Sequence, residues 1–260
     1  RAEEWLPSAP RHIKLYEAFG FDIPQLVHLP IILGPDRSKL SKRHGATSVL
    51  YYRDEGYLSA AMLNFLARLG WSLDDVTEVI SREELVKNFT LGRILANPAV
   101  FDKDKLEWMN GIYIREMSTE ALAEELIEHL EADSGLPFSV ERPIDREYLR
   151  RIVPLERERL KRLSEAPEML EFFFVEHPEI NPEDLVQKGM DADSTKIVLK
   201  RTLATTEFMD QWREDWLEES YRELAEELTL KAGQLFGTIR VAITGRKAAP
   251  PLFKTMVVLG

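Results

Sequence analysis

After Tyr57, apolar residues recur with the period of an α-helix almost to the end of the chain. This pattern limits the fold more than any other feature of the sequence. Such spacing places apolar side chains on one face of an α-helix. The two most regular stripes are Leu122, Leu126 and Leu130, and Leu217, Tyr221, Leu224 and Leu228. The region before Tyr57 offers one helix, Arg11 to Phe19, and one short strand, His28 to Leu33. We therefore expect a mainly α fold whose first residues are too few to form a sheet core of their own.

Helix breakers refine this expectation. Pro154 should kink or split a helix that runs from Arg146 to Leu163, because proline lacks the amide hydrogen and its ring clashes with the preceding turn. Gly111 should end a helix that begins at Asp102, as glycine often does just beyond a helix C-terminus.

Composition excludes several classes of protein. The chain has 260 residues and no cysteine, which rules out disulfides and thiolate metal sites and predicts the reducing cytoplasm. No apolar stretch approaches the roughly 18–20 residues needed to span a membrane. The five histidines are scattered without metal-ligand spacing, so no metal site is predicted.

The net charge of −11 is unevenly distributed. Residues 1–50 contain seven Lys and Arg against five Asp and Glu, and Arg142 to Arg162 contains eight cations against four carboxylates. An acidic body with local basic faces suits a polyanion that must be held in one place.

The first basic segment is KLSKRHG, Lys39 to Gly45, which follows HLPIIL and the turn Gly34 to Asp36. Lysine ammonium groups are mobile point charges for phosphates, and a serine hydroxyl can hydrogen-bond a phosphate oxygen. From the residues alone, two interpretations remain open: a solvated surface loop, or a loop that holds a polyphosphate.

The second basic segment is YLRRIVPLERERLKRL. Arg150, Arg157 and Lys161 follow a 7-4 spacing, so they share one face if the helix continues past Pro154. Such a face can contact phosphates or a base edge. The alternative is a solvated face laced with Glu–Arg pairs.

A family resemblance bears on both segments. KLSKR resembles the KMSKS sequence of class I aminoacyl-tRNA synthetases. Longer segments resemble the bacterial glutamyl members in order, most strongly over Arg1 to Glu116: RAEEWLPSAPRH, HLPIILGPDRSKLSKRHGATSV, EGYLSAAMLNFLARLGWS and AVFDKDKLEWMNGIYIRE. The resemblance implies the end of a class I nucleotide-binding fold at 1–50 and a stem-contact helical domain at 51–118. An all-α anticodon-binding domain would follow, as subdomains 119–178 and 179–260, with its final helix truncated.

The resemblance also implies roles in substrate binding. Arg1 would hold the carboxylate of glutamate, since a guanidinium can bind it bidentately. Lys42 would be the catalytic lysine that contacts the ATP phosphates. The other residues implied to contact ATP are Glu4, Trp5, Ile32, Lys39, Ser41 and Arg43. The implied activity is ligation of glutamate to tRNA(Glu), with ATP and Mg²⁺, by a cytoplasmic monomer.

In the C-terminal region the resemblance places Arg159 near the third anticodon base. Arg157 is the nearest rival for this role, and Arg150 would support binding. Relatives that also charge the glutamine tRNA tend to differ at this place, so a discriminating enzyme is implied.

The family's HIGH-like motif is not found in the 260 residues. We therefore expect a C-terminal fragment that does not aminoacylate by itself. One alternative is a stand-alone tRNA-binding module without catalysis. Another is a glutaminyl-type relative, although the β-barrel anticodon part of that group fits poorly with a helical interpretation of residues 119–260.

Overall fold

The computed structural model describes residues 1–41 and 48–260. They divide into two compact units, Arg1–Glu116 and Met117–Gly260. This division lies two residues before the domain boundary predicted between residues 118 and 119. The finer division into four parts stays a prediction. In the described ranges no helix is long and apolar enough to cross a membrane.

In residues 1–41 and 48–116, the regular elements of the first unit are helices and one short sheet. Its helices are α1 (Ala9–Phe19), α2 (Val49–Asp54), α3 (Ser59–Arg68), α4 (Arg82–Asn88) and α5 (Lys103–Glu116). Its strands are β1 (Ile32–Leu33) and β2 (Ala99–Val100), which pair in parallel with Ile32 opposite Ala99. The strand predicted from His28 is thus much shorter, because among the described residues β1 has only the two residues of β2 as a ladder partner.

Helices α3 and α5 build the core of the first unit around Phe65, Leu106 and Met109. The predicted helix end at Gly111 is wrong: α5 continues to Glu116 with Gly111 buried inside it. Gly111 does not adopt the left-handed conformation that a C-terminal glycine cap requires. Its neighbour Asn110 is also buried, and its Oδ1 accepts a 2.8 Å hydrogen bond from the Leu58 amide.

The second unit is all helical in its regular elements. Its helices are α6 (Thr119–Glu131), α7 (Arg146–Glu156), α8 (Ala166–Leu170), α9 (Pro182–Leu185), α10 (Ala192–Glu207), α11 (Glu214–Glu227), α12 (Ala232–Thr244) and α13 (Leu252–Leu259). The apolar stripe of α6 is fully buried, as its spacing predicts. Tyr221 and Leu224 of α11 pack with Leu235 of α12 and Phe253 of α13 in a second core.

The helix that contains Pro154 ends sooner than predicted. It stops at Glu156, and the chain then turns, with the amides of Arg159 and Leu160 both donating to the Glu156 carbonyl. Helical structure resumes only as a 3₁₀ turn at Leu163–Glu165. Arg157 and Lys161 therefore lie beyond α7, and the 7-4 spacing does not place them on one helical face with Arg150.

Candidate functional site

The first candidate site surrounds the N-terminal segment. The backbone nitrogen of Arg1 donates to the Val27 carbonyl at 2.9 Å, and the Leu29 amide donates to the Arg1 carbonyl at 2.7 Å. The Arg1 guanidinium lies over the Trp5 ring, 4.9 Å from its centroid, and Nη1 is 3.1 Å from Nε2 of His12. Stacking on an aromatic face is a preferred contact of arginine, so the plane of this guanidinium is set by its neighbours.

Glu4 and Lys39 meet in the same site although they are far apart in the sequence. Their side chains form an ion pair, with the Lys39 side chain 60% exposed. A polyphosphate that approaches Lys39 therefore competes with the Glu4 carboxylate for its ammonium group. Such an exposed pair is worth little by itself, so this competition is weak.

The remaining residues implied to contact ATP are partly engaged, half-buried or outside the described ranges. The carbonyl of Ile32 accepts a 2.8 Å hydrogen bond from the Leu40 amide, so one of its backbone groups is already used. Ser41 is half-buried, and Lys42 and Arg43 lie outside the described residues. Over residues 1–41 and 48–260, no group of three His, Cys, Asp or Glu side chains is arranged to hold a metal ion.

The second candidate site lies at the end of α7. Arg150 forms an ion pair with Glu147 one turn earlier, and its Nη2 is 3.9 Å from Oε1 of Glu124 on α6. Arg157 donates from Nη2 to Oγ1 of Thr119 at 2.6 Å. At Arg150 the structure therefore shows the Glu–Arg pair of the alternative interpretation, a solvated face with such pairs.

Arg159 has a different environment. Its Nη1 lies 2.7 and 3.0 Å from the two carboxylate oxygens of Glu156, and Nη2 donates to the Ala248 carbonyl at 3.2 Å. The Glu156 side chain is 1% exposed, whereas that of Arg159 is 40% exposed. Burial raises the pKa of Glu156 to about 7, against the opposing effect of the Arg159 and Arg246 guanidinium groups.

Two family models match this chain. Residues 121–260 match the family described as anticodon binding domain, which is more than half of the chain, and residues 1–108 match tRNA synthetases class I (E and Q), catalytic domain. The chain belongs to the class I tRNA synthetases and carries their anticodon binding domain. The predicted mainly α fold is confirmed by the helices of both units, and the resemblance to class I synthetases is confirmed by these two matches.

Individual synthetases match along the whole chain. It is 47% identical over 260 residues to a glutamate–tRNA ligase of Dehalococcoides mccartyi and 50% identical over 261 residues to one of a Roseiflexus species. These matches cover 100% of this chain and 53% and 51% of the two relatives. The chain thus spans about half the length of the curated relatives it matches. A solved glutamate tRNA ligase of Elizabethkingia meningosepticum, in complex with its amino acid, superposes with a TM-score of 0.83 at 32% identity, over 100% of this chain and 53% of that chain.

Three residues of this synthetase chain belong to the second site but were not predicted from the sequence: Glu156, Arg246 and Ala248. The Glu156–Arg159 spacing did indicate a possible pair within one turn. Nothing in the sequence indicated that the carboxylate would be buried, or that a loop almost 90 residues later would supply the carbonyl of Ala248.

Proposed function

We propose that this chain is the part of a glutamate–tRNA ligase that contributes the ATP-phosphate loop and binds the tRNA. The observation that carries the proposal is the superposition of the whole chain on a ligase solved with its amino acid. The curated relatives named glutamate–tRNA ligase support the same choice over a glutaminyl-type relative. The partners would be tRNA(Glu), glutamate and ATP with Mg²⁺, and the ligase would act as a monomer in the cytoplasm.

The reaction has two steps in the whole ligase. A carboxylate oxygen of glutamate attacks the α-phosphorus of ATP, pyrophosphate leaves and glutamyl-adenylate forms. A hydroxyl of the terminal tRNA ribose then attacks the acyl carbon, and AMP leaves. This chemistry depends on positioning and on stabilisation of the negative charge that develops on phosphate oxygens.

Within this chain, we assign substrate positioning to the first site. The Arg1 guanidinium, with its plane set by Trp5, would hold the carboxylate of glutamate. Lys39 and Lys42, with Ser41 and Arg43, would hold the ATP phosphates.

We assign anticodon binding to the second site, with Arg159 as the residue that contacts the third anticodon base. Arg159 is the more exposed of the two arginine residues at the end of α7, since Arg157 is half-buried and bonded to Thr119. Arg157 and Arg150 would act as supporting cations for phosphates.

The test is tRNA binding by the 260-residue chain at one fixed salt concentration, because phosphate contacts make affinity strongly salt-dependent. The ligands are tRNA(Glu) and the same tRNA with its third anticodon base changed. We expect about tenfold weaker binding of the changed tRNA, as for loss of one bidentate base contact, and no such difference in Arg159→Ala. Equal binding of both tRNAs by the unaltered chain contradicts the assignment of Arg159.

A further inference from the structure

Glu156 is almost completely buried, yet it is the last residue of α7 and lies at the edge of the proposed RNA site. Both of its oxygens face Nη1 of Arg159. The Glu156 backbone carbonyl also accepts the Arg159 amide at 2.9 Å. Arg159 is thus tied to Glu156 through its main chain and its side chain together.

The loop between α12 and α13 holds the other side of this pair. Its Ala248 carbonyl accepts from Nη2 of Arg159 at 3.2 Å. Arg246 of the same loop lies close enough to Glu156 to favour its charged form, and its own Nη2 donates to the Glu168 carbonyl. The Arg159 guanidinium is therefore clamped between the end of α7 and this loop.

The clamp does not use every N–H donor of the Arg159 guanidinium. Nη1 is used by Glu156, while Nη2 carries a second hydrogen besides the one given to Ala248. No hydrogen bond from Nε is found to any residue of the described ranges. Nε and Nη2 lie side by side on the 40% exposed side chain, and this pair of donors suits two acceptors on one base edge.

We propose that Glu156 is a positioning residue that presents the Nε–Nη2 edge of Arg159 to the anticodon. The inference rests on the proposed role of Arg159 as the residue that contacts the third anticodon base. Glu156 acts because a buried carboxylate that loses its hydrogen-bonded cation is left poorly compensated, so movement of Arg159 away from it costs free energy. Pre-orientation of this kind lowers the entropy lost when the base binds.

At pH 8, above the pKa of about 7 of Glu156, the experiment measures the affinities of the 260-residue chain for tRNA(Glu) and for the tRNA with its third anticodon base changed. The central variant is Glu156→Gln, which keeps the side-chain shape and one acceptor but removes the charge. Glu128→Gln, on the exposed face of α6, is the control for the same change in net charge. Arg159→Ala and the double variant Glu156→Gln with Arg159→Ala complete a cycle, and thermal unfolding checks that each variant is folded.

We expect the affinity ratio between the two tRNAs to fall from about tenfold to about twofold in Glu156→Gln, with little change for the altered tRNA. Glu128→Gln should keep the ratio. In the Arg159→Ala background, adding Glu156→Gln should leave both tRNA affinities unchanged. A general loosening of the fold would not give this result.

Two results overturn the inference, and they differ from each other. If the unaltered chain discriminates between the two tRNAs and folded Glu156→Gln does so equally well, Glu156 does not position Arg159. The proposed contact of Arg159 with the third anticodon base then stands. If the unaltered chain binds both tRNAs equally, the proposed role of Arg159 fails, and the role of Glu156 fails with it.

Discussion

Nη2 of Arg157 donates a 2.6 Å hydrogen bond to Oγ1 of Thr119 and so joins the end of α7 to the first turn of α6. Arg159, two residues later, makes its contacts to Glu156 and Ala248 instead. The two arginines that the sequence offered as rivals thus have different neighbours. Arg157 connects two helices of the second unit, whereas Arg159 borders the solvent.

The Arg157–Thr119 bond should contribute to stability rather than to discrimination between tRNAs. Thr119→Val, which removes the hydroxyl at nearly constant volume, should lower the free energy of unfolding by about 1 kcal/mol, the usual worth of a hydrogen bond. Urea unfolding measures this change. Thr119→Ser keeps the hydroxyl and should restore most of the loss, so equal stabilities of the two variants would argue against the bond.

Gly245 should not tolerate a side chain. It ends α12 in the left-handed conformation, with φ of 71°, and a Cβ there would come 2.3 Å from the Glu179 carbonyl oxygen. Gly245→Ala should therefore cost more than about 2 kcal/mol of unfolding free energy, from backbone strain and from the forced movement of another backbone segment.

Gly233 in the first turn of the same helix supplies the matched control. A Cβ there meets nothing within 4 Å. Gly233→Ala should raise the unfolding free energy by about 0.5 kcal/mol, because alanine loses less backbone entropy than glycine in a helix. Similar effects of the two substitutions would mean that the close approach at Gly245 is absent.

Glu156 should make stability depend on pH in an unusual direction for a carboxylate. Its pKa is about 7 in the folded chain against the ordinary glutamate value of 4.5, so between these pH values the folded state keeps a proton that the unfolded state has lost. The stabilising contribution of Glu156 is fully present below pH 4.5. It is lost as the pH rises through about 7, and above that it no longer changes with pH.

Glu156→Gln isolates this effect, since every other titrating group is shared. Relative to the unaltered chain, the variant should gain about 1–2 kcal/mol of unfolding free energy between pH 5 and pH 8, allowing for the partly exposed arginine partner. Urea unfolding at several pH values gives the difference. A difference that stays constant with pH would show that the pKa of Glu156 is not raised by burial.

The chain by itself should not activate glutamate. No HIGH-like motif occurs in its 260 residues, although KLSKR is present. Exchange of radiolabelled pyrophosphate into ATP, with glutamate and Mg²⁺, should not exceed that of Lys42→Ala. Exchange clearly above this control would refute the prediction and would show that these residues suffice for adenylate formation.

Features that depend on near neighbours in the chain could be predicted from the sequence. The buried stripe of α6 follows from its spacing, and the capping box of Ser81 and Glu84 begins α4 as local hydrogen-bonding rules require. The resemblance of the KLSKR region and its neighbours likewise rested on contiguous residues, and the two family models confirm the family that it implied.

The environment of the charged side chains could not be predicted from the sequence, because it depends on the tertiary fold. Arg150, Arg157 and Arg159 look alike in the sequence, but one pairs with Glu147, one with Thr119 and one with Glu156. The cause is that burial depends on which distant segment covers a residue. The loop carrying Ala248 is 89 residues from Arg159, and periodicity within one helix carries no information about such a contact.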